Sequence, residues 1–507
     1  MSGTSDRRVA NGKNLNDLPD ELILGFFHAL ADISRDRVRD EARVSVFWPV
    51  CLVNRRFNAI ATPFLYASLS VSRRLLRTLK DRVDLLANVQ RCSFLHHRHI
   101  FLRRFSRALI KVAIEDLGVS WPAALLGPMS YQEQSENDYW GIAAILCCTP
   151  KVRCILLHFD DIDSRVHFAA GELISITLAP VISAALRRGM GTVHNFQHLQ
   201  EIKINMHNIP VEKVSSLFRL PSLRSVKLWG LHQSAPSTTD HDLLWDCPPS
   251  TSFVERLWLW QADLPSSIVA KAIGCCKDLR DFVHFEGEDQ TREWYQDLLV
   301  SLLVHIDSLR NLRLGEWTSK YEGEPLWDLR KLRVLERLDI PVRMVLGVGG
   351  ARNIDIDHIL GFGSVLPSSI KKLDLLFWGD APAQKVTSAF QEPVSQGSPL
   401  PHLKSMKVIY KIFCDPFNGN WVWELPLEFV AYQRNCIEKD IAFDYQFKHY
   451  YMDDDDDAVK KTGAVMLNHP DGREFIRHAP EYGGLLGEYA VNADVEEDEW
   501  MNGSLSD

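Results

Sequence analysis

Several features that mark common classes of protein are missing from this 507-residue sequence. None of its ten cysteines lies in a Cys-x-x-Cys pair, which argues against a zinc module and against a disulfide framework. The most membrane-like stretch, residues 173–186, is too short and too polar to span a bilayer. Residues 1–14 carry no apolar signal core, so we expect an intracellular protein of the cytoplasm, the nucleus or both.

The motifs of common catalytic and nucleotide-binding sites are also missing. There is no Gly-x-Ser-x-Gly elbow, no His-Glu-x-x-His, and no Walker lysine beside the glycine turns at 347–350 and 361–363. Acidic residues outnumber basic ones, 66 to 57, whereas a general nucleic-acid binder is normally basic. We therefore expect a non-catalytic protein with no cofactor or metal, and with neither nucleic acid nor membrane as a partner.

Charge is distributed unevenly along the chain. Residues 1–120 carry 20 basic and 12 acidic side chains, whereas residues 451–507 carry 4 basic and 15 acidic ones. The acidic runs Asp453–Asp457 and Asp494–Glu499 are most often solvated segments, although such a run also suits a cation or a basic partner. The basic beginning and the acidic end indicate different neighbours for the two ends of the chain.

A short pattern, apolar-x-x-apolar-x-apolar, recurs between residues 199 and 410. Counting one degraded copy, successive starts are 24 to 35 residues apart. Each copy therefore has room for one short strand and for one helix or irregular segment that leads to the next strand. Such units cannot bury an apolar face alone and must stack, although an ordinary sheet of unrelated strands is the alternative. The clear copies are Leu199–Ile204, Leu223–Leu228, Val254–Leu259, Leu309–Leu314, Leu335–Ile340, Ile370–Leu375 and Leu403–Val408; the degraded copy starts at Leu279, and earlier ones start at Val89 and Val152.

The repeated pattern is similar to that of leucine-rich repeats, in a long and irregular form. The Asn or Cys that usually follows the third apolar position is mostly absent, which departs from the pattern of a regular horseshoe. If the repeats stack, the residues between the buried positions share one concave surface. Trp and Arg are common in binding hot spots. We therefore predict a recognition surface for a target protein, unless the C-terminal segment or a long loop covers it, made of Lys203, Lys227, Trp229, Arg256, Trp258, Trp260 and Arg313.

Residues 15–70 form a compact apolar block with helical spacing. The run Leu18–Leu22 opens a helix, since its proline fits the first turn and its two acids suit the positive end of the helix dipole. A second apolar stripe runs from Val50 to Ile60 and ends where Pro63 stops the helix.

This order of segments resembles the F-box, and its residues are typical of fungal members of that family. The resemblance covers about 50 of the 507 residues and implies a three-helix module that docks on the Skp-type adaptor of a cullin–RING ubiquitin ligase. A helical unit of this size cannot bury all its apolar groups, and an exposed patch marks a partner site. About half of the candidates, Ile23 and Phe57 above all, are alternatively internal core. The predicted adaptor-binding residues are Leu18, Pro19, Leu22, Ile23, Val50, Cys51 and Phe57.

The sequence thus predicts an α/β fold: a three-helix F-box-like module followed by an irregular leucine-rich-repeat solenoid. The resemblance implies a non-catalytic substrate receptor of a Skp–cullin–F-box ubiquitin ligase that mediates ubiquitin-dependent degradation of a target protein. The alternatives are a non-degradative F-box scaffold and, less favoured, an enzyme with an unrecognised site in residues 411–507. The expected regions are a flexible lead at 1–14, the module at 15–70, a helical linker with early repeats at 71–198, the repeats at 199–410, and an acidic cap or tail at 411–507.

Overall fold

The computed structural model describes most of the chain, with gaps. The expected lead at 1–14 and the acidic runs at 453–457 and 494–499 lie outside the described residues. The described residues are 18–35, 40–70, 78–79, 82–95, 103–119, 131–159, 170–233, 245–286, 292–315, 328–342, 344, 365–378, 400–414, 423–424, 427–452, 459–461 and 475–476.

Three helices form the N-terminal module: α1 (Asp20–Arg35), α2 (Asp40–Cys51) and α3 (Arg55–Leu65). The side chain of Asn54 caps α3 by accepting a hydrogen bond of 2.8 Å from the backbone of Phe57. Such a cap satisfies one of the free N–H groups at the start of a helix. The module has a hydrophobic core of its own, separate from the main one, and its fully or nearly buried residues are Ile23, Phe27, Ala31, Phe47, Cys51, Phe57 and Ala61.

The rest of the described chain is a mixed α/β structure built on an open sheet of thirteen strands. The strands are β1 (Ser68–Ser70), β2 (Arg91–Leu95), β3 (Cys154–Phe159), β4 (Glu201–Pro210), β5 (Ser225–His232), β6 (Arg256–Ala262), β7 (Asp281–Glu286), β8 (Asn311–Gly315), β9 (Arg337–Pro341), β10 (Lys372–Trp378), β11 (Ser405–Cys414), β13 (Ala442–Met452) and β14 (Val459–Lys461). A separate antiparallel pair joins β12 (Trp423–Glu424) to β15 (Phe475–Ile476).

Each strand of the large sheet pairs with the next along the chain, and every pairing except β13–β14 is parallel. The predicted repeats fall into one register: Ile202, Val226, Leu257 and Phe282 occupy the same level of adjacent strands. That level continues through Leu312 and the later copies. The chain therefore adds one strand per repeat, as the spacing of the pattern predicts.

The sheet extends beyond both ends of the 199–410 region. Strands β1 to β3 precede it, and β13 pairs with β11 along ten residues after it. In β13, Phe443 fills the slot that Met406 fills in β11, but Asp440 stands where the pattern expects an apolar residue. The neighbouring Ile441 is buried instead, so the apolar-x-x-apolar-x-apolar pattern does not predict this strand.

Helices pack against the apolar face of the sheet and close the main core. In Ser266–Gly274, for example, Ile268, Val269, Ala272 and Ile273 are buried. None of the described helices has the length and hydropathy needed to cross a bilayer. The helices after the module are α4 (Arg103–Glu115), α5 (Tyr131–Cys147), α6 (Ala170–Thr177), α7 (Ala179–Ala185), α8 (Val211–Val214), α9 (Ser266–Gly274), α10 (Arg292–Leu302) and α11 (Leu427–Ile437), with 3-10 turns at Val83–Asn88, Ser215–Arg219, Leu303–His305 and Leu329–Lys331.

Candidate interaction surfaces

The three-helix module exposes large apolar side chains. Leu22 and Phe26 are four residues apart at the start of α1, so they share one side of that helix, and Leu18 lies just before it. Trp48 and Leu52 have the same spacing at the end of α2. The exposed apolar residues of the module, called here the module face, are Leu18, Leu22, Leu24, Phe26, Trp48, Leu52 and Val53.

The predicted adaptor-binding residues divide between this face and the core. Leu18, Pro19 and Leu22 are exposed and Val50 is half-buried. Ile23, Cys51 and Phe57 are buried in the module core, so they support the surface rather than form it. Sequence reasoning missed Leu24, Phe26, Trp48, Leu52 and Val53, although the four-residue spacing after Leu18 and Trp48 was a usable signal.

Polar contacts fix the arrangement of the module. Arg56, in the first turn of α3, contacts the carboxylate of Asp20 at 2.5 Å and donates a hydrogen bond to the backbone oxygen of Leu18. Asn58 donates to the backbone oxygen of Cys51 at 2.9 Å. These contacts tie the start of α1 and the end of α2 to α3, so the module face is held on a packed scaffold.

A second candidate surface lies on the large sheet, on the face opposite the helix-covered core. Successive side chains of a strand point to opposite faces, so the positions between the buried repeat residues share this face, called here the polar face. Parallel pairing aligns them in rows across the strands. One row consists of the residues between the last two apolar positions of each copy: Lys203, Lys227, Trp258, Val283, Arg313, Asp339, Asp374, Lys407 and Asp444.

Cations gather around one carboxylate on strands β4 to β6. The ammonium groups of Lys203 and Lys227 lie 3.5 and 3.9 Å from an oxygen of Glu201. Burial, together with the charges of Lys203 and Arg256, lowers the pKa of Lys227 to about 7. Burial alone would raise the pKa of Glu201, but the three cations hold it below its ordinary value. Among the described residues, three cations therefore surround this one carboxylate.

Aromatic rings lie beside these cations. The rings of Trp229 and Trp260 stack with centroids 4.6 Å apart, and Phe285 continues the stack 4.1 Å further on. The ammonium of Lys227 lies 3.6 Å from the centroid of the Trp258 ring, in cation–π geometry.

A small cavity of about 50 Å³ opens among these groups. Of the seven predicted target-binding residues, five line it: Lys203, Lys227, Trp229, Trp258 and Trp260. The structure therefore brings most of the predicted set together.

The other two predicted residues lie apart from the cavity. Arg256 adds charge beside Glu201, since it lowers the pKa of that carboxyl. Arg313 lies two strands further on and pairs with Asp339 at 3.1 Å, so its charge is already matched. The geometry separates Arg313 from the basic–aromatic surface, defined here as Lys203, Lys227, Trp229, Arg256, Trp258 and Trp260.

Comparison of the chain with protein-family models and with curated proteins finds no match in either case.

Proposed function

We propose that this chain is the substrate-receptor subunit of a Skp–cullin–F-box type ubiquitin ligase. The module face would bind the Skp-type adaptor, and the polar face of the sheet would bind a target protein. The observation that carries the proposal is the module face, where Leu22 and Phe26 are 60% and 61% exposed. Clusters of exposed large apolar side chains mark partner sites, because leaving them in water is unfavourable.

The distribution of exposed apolar side chains supports this assignment. Outside the module, the described chain exposes fewer large apolar residues: Phe253, Ile437 and the neighbouring pair Val300 and Val304. Single exposed apolar residues are common on soluble proteins and need no partner. Seven on one module of about 50 residues are better explained by a surface that is covered in an assembly.

In such an assembly the chain would contribute proximity rather than chemistry. Holding a target beside a reacting group converts a bimolecular step into an effectively unimolecular one. The basic–aromatic surface contributes three tryptophans and Arg256, and Trp and Arg are enriched in the binding hot spots of protein interfaces.

Co-purification with a Skp-type adaptor tests the proposal. The full chain should bind the adaptor, and Leu22→Glu/Phe26→Glu should lower its affinity by at least ~100-fold, because charges would be placed in an apolar contact. The matched control is Val300→Glu/Val304→Glu, which alters side chains of similar exposure, 67% and 63%, outside the module. The control should bind like the unaltered chain, and circular dichroism should show that all three proteins are folded.

Two outcomes would overturn parts of the proposal. Failure of the folded, unaltered chain to bind the adaptor would remove the ligase role. Adaptor binding without any shortening of the half-life of a captured target would favour a non-degradative F-box scaffold instead.

A further inference from the structure

Lys227 occupies the central position of the cavity on the basic–aromatic surface. It lies on β5, the middle strand of three, with Lys203 beside it on β4 and Trp258 beside it on β6. Leu156 and Val283 continue the same row on either side and also line the cavity. The side chain of Lys227 is only 14% exposed, so a lysine that is largely shielded from water borders an open space.

The surroundings of the Lys227 amine favour its neutral form. Burial disfavours an ammonium group, and it is the largest of the causes that lower the pKa of Lys227 to about 7. The shift therefore does not rest mainly on the charges of the neighbouring cations. A neutral lysine amine is a nucleophile, whereas an ammonium is not, and burial in an apolar pocket is one way in which proteins activate a lysine.

The cavity limits which molecules can reach this amine. The rings of Trp229, Trp258 and Trp260 line it, so it suits an apolar ligand better than a strongly hydrated ion. Its volume is about 50 Å³, and one water needs about 10–15 Å³ on the same measure, so it accommodates about four non-hydrogen atoms. A small aliphatic aldehyde meets both conditions, and its carbonyl carbon reacts with a neutral amine.

We propose that Lys227 is a covalent binding site for a small apolar aldehyde. The Nζ atom attacks the carbonyl carbon to give a carbinolamine, which loses water and leaves a C=N bond between Nζ and that carbon. The carbonyl oxygen departs as water with the two protons of the amine, so the step needs neither an oxidant nor a reductant. Because the side chain is shielded from bulk water, hydrolysis of the imine is slowed.

Occupation of this site would change the surface around it. Lys227 belongs to the basic–aromatic surface, so an imine there would fill the cavity beside a bound target and alter the affinity for that target. This consequence rests on the proposed function, whereas formation of the imine does not.

Reductive trapping of the full chain tests the site. The chain is incubated with propanal and cyanoborohydride, which converts an imine into a stable propylamine, and mass spectrometry of the digest gives the rate at each lysine. At pH 7.5 Lys227 should be labelled at least ~10-fold faster than Lys404, which is exposed before β11. The reason is that an ordinary lysine is only about 0.1% neutral at this pH. The ratio of the two rates should fall as the pH is raised to 9.5, because ordinary lysines then become neutral whereas Lys227 already is.

A variant that fills the cavity separates access from nucleophilicity. Leu156→Trp adds a large ring to the row that lines the cavity, and it should slow the labelling of Lys227 at least ~5-fold. The matched control Val300→Trp adds the same ring at an exposed position of α10 and should leave the rate unchanged. Labelling of Lys404 shows that the reagents act equally in each sample, and circular dichroism shows that each variant is folded. If Leu156→Trp does not fold, the pH dependence of the rate ratio in the unaltered chain decides.

Three outcomes would overturn the proposal. One is an equal rate at Lys227 and Lys404 in the folded chain at pH 7.5. Another is faster labelling of Lys203 than of Lys227, which would assign the nucleophile to the other lysine of the cavity. The third is fast labelling of Lys227 that a folded Leu156→Trp variant does not slow, because the aldehyde would then react without entering the cavity. None of these outcomes bears on adaptor binding, so the proposed function is tested separately.

Discussion

Two parts of the polar face share the same strand register but differ in how their charged side chains are paired. On β4 to β6, three cations share one close carboxylate and lie beside tryptophan rings. On β8 to β13, each of several bases pairs with an acid of its own or a neighbouring strand. The pairs of this ion-pair surface are Arg313–Asp339 at 3.1 Å, Arg337–Asp374 at 3.0 Å, Lys372–Asp374 at 3.8 Å and Lys407–Asp444 at 3.9 Å.

The difference shows what each part is suited to. A charged side chain that is already paired within the fold interacts only weakly with a binding protein. If the other residue of the ion pair is removed, the remaining charge is buried without compensation. A cluster of like charges costs stability in the free protein and regains it when an opposite charge binds. We therefore expect the ion-pair surface to stabilise the fold, and the basic–aromatic surface is the better candidate for binding.

Removing one member of the best-buried pair should give the largest effect. Arg313→Met leaves the Asp339 carboxylate, only 13% exposed, without its cation. Loss of one partner from a buried pair costs about 3–5 kcal/mol of the free energy of unfolding. Urea unfolding measures this cost, and the double variant Arg313→Met/Asp339→Leu should recover most of it. An equal loss in the double variant would mean that packing, not charge, holds this part together.

Removing a cation from the basic–aromatic surface should act in the opposite direction. The pKa of Lys227 is about 7 in the folded chain against 10.5 ordinarily, so between these values the unfolded chain binds more protons. The stability that this group contributes therefore rises with pH, by about 2–3 kcal/mol from pH 7 to pH 9. The charged or titratable groups that influence it are Lys203, Glu201, Arg256 and Cys154.

The variant Lys227→Met should lack this rise and should be more stable than the unaltered chain at pH 6. Thermal unfolding at several pH values, taken as the difference between the two proteins, cancels other groups such as Cys154. A parallel pH dependence in both proteins would show that the fold does not lower the pKa of Lys227.

Gly315 on β8 lies beside Phe285, between the aromatic stack and the ion-pair surface. A Cβ atom added there would overlap the ring of Phe285, the last member of the aromatic stack. Gly315→Ala should therefore cost about 1–3 kcal/mol, as overpacking does. Gly274→Ala is the matched control, since nothing lies within 4 Å of its added Cβ. Recovery of stability in Gly315→Ala/Phe285→Leu would show that the ring causes the loss.

Much of the sheet was predictable from the sequence because the repeat pattern directly encodes burial. Leu199, Ile202 and Ile204, for example, are all buried as the pattern requires, and the copies share one register. His284 shows the limit: it stands in an apolar slot, is fully buried, and burial lowers its pKa to about 3. The pattern predicts that position 284 is buried, but it does not predict how burial changes the pKa of the imidazole.

The surfaces were harder to predict, because pairing between distant strands decides them. Arg313 and Arg256 look alike in sequence, yet Asp339, 26 residues further on, neutralises only the former. Within the module, Ile23 and Leu22 are adjacent, but helix packing buries one and exposes the other. Composition and spacing alone contain neither distinction.

The smallest expected effect concerns the contact between a charged and an aromatic side chain of the basic–aromatic surface. Lys227 lies over the ring of Trp258, a geometry worth about 0.5–2 kcal/mol when it is partly shielded from water. A double-mutant cycle of Lys227→Met and Trp258→Leu, measured at pH 6 where Lys227 is charged, should give a coupling energy in that range. At pH 9 the coupling should fall, since a neutral amine loses the attraction to the ring.

Because Lys227 also repels Lys203 and Arg256, its removal can stabilise the chain even while this favourable contact is lost. A coupling that persists unchanged at pH 9 would show that Lys227 and Trp258 interact by packing alone, and that charge plays no part in positioning the ring.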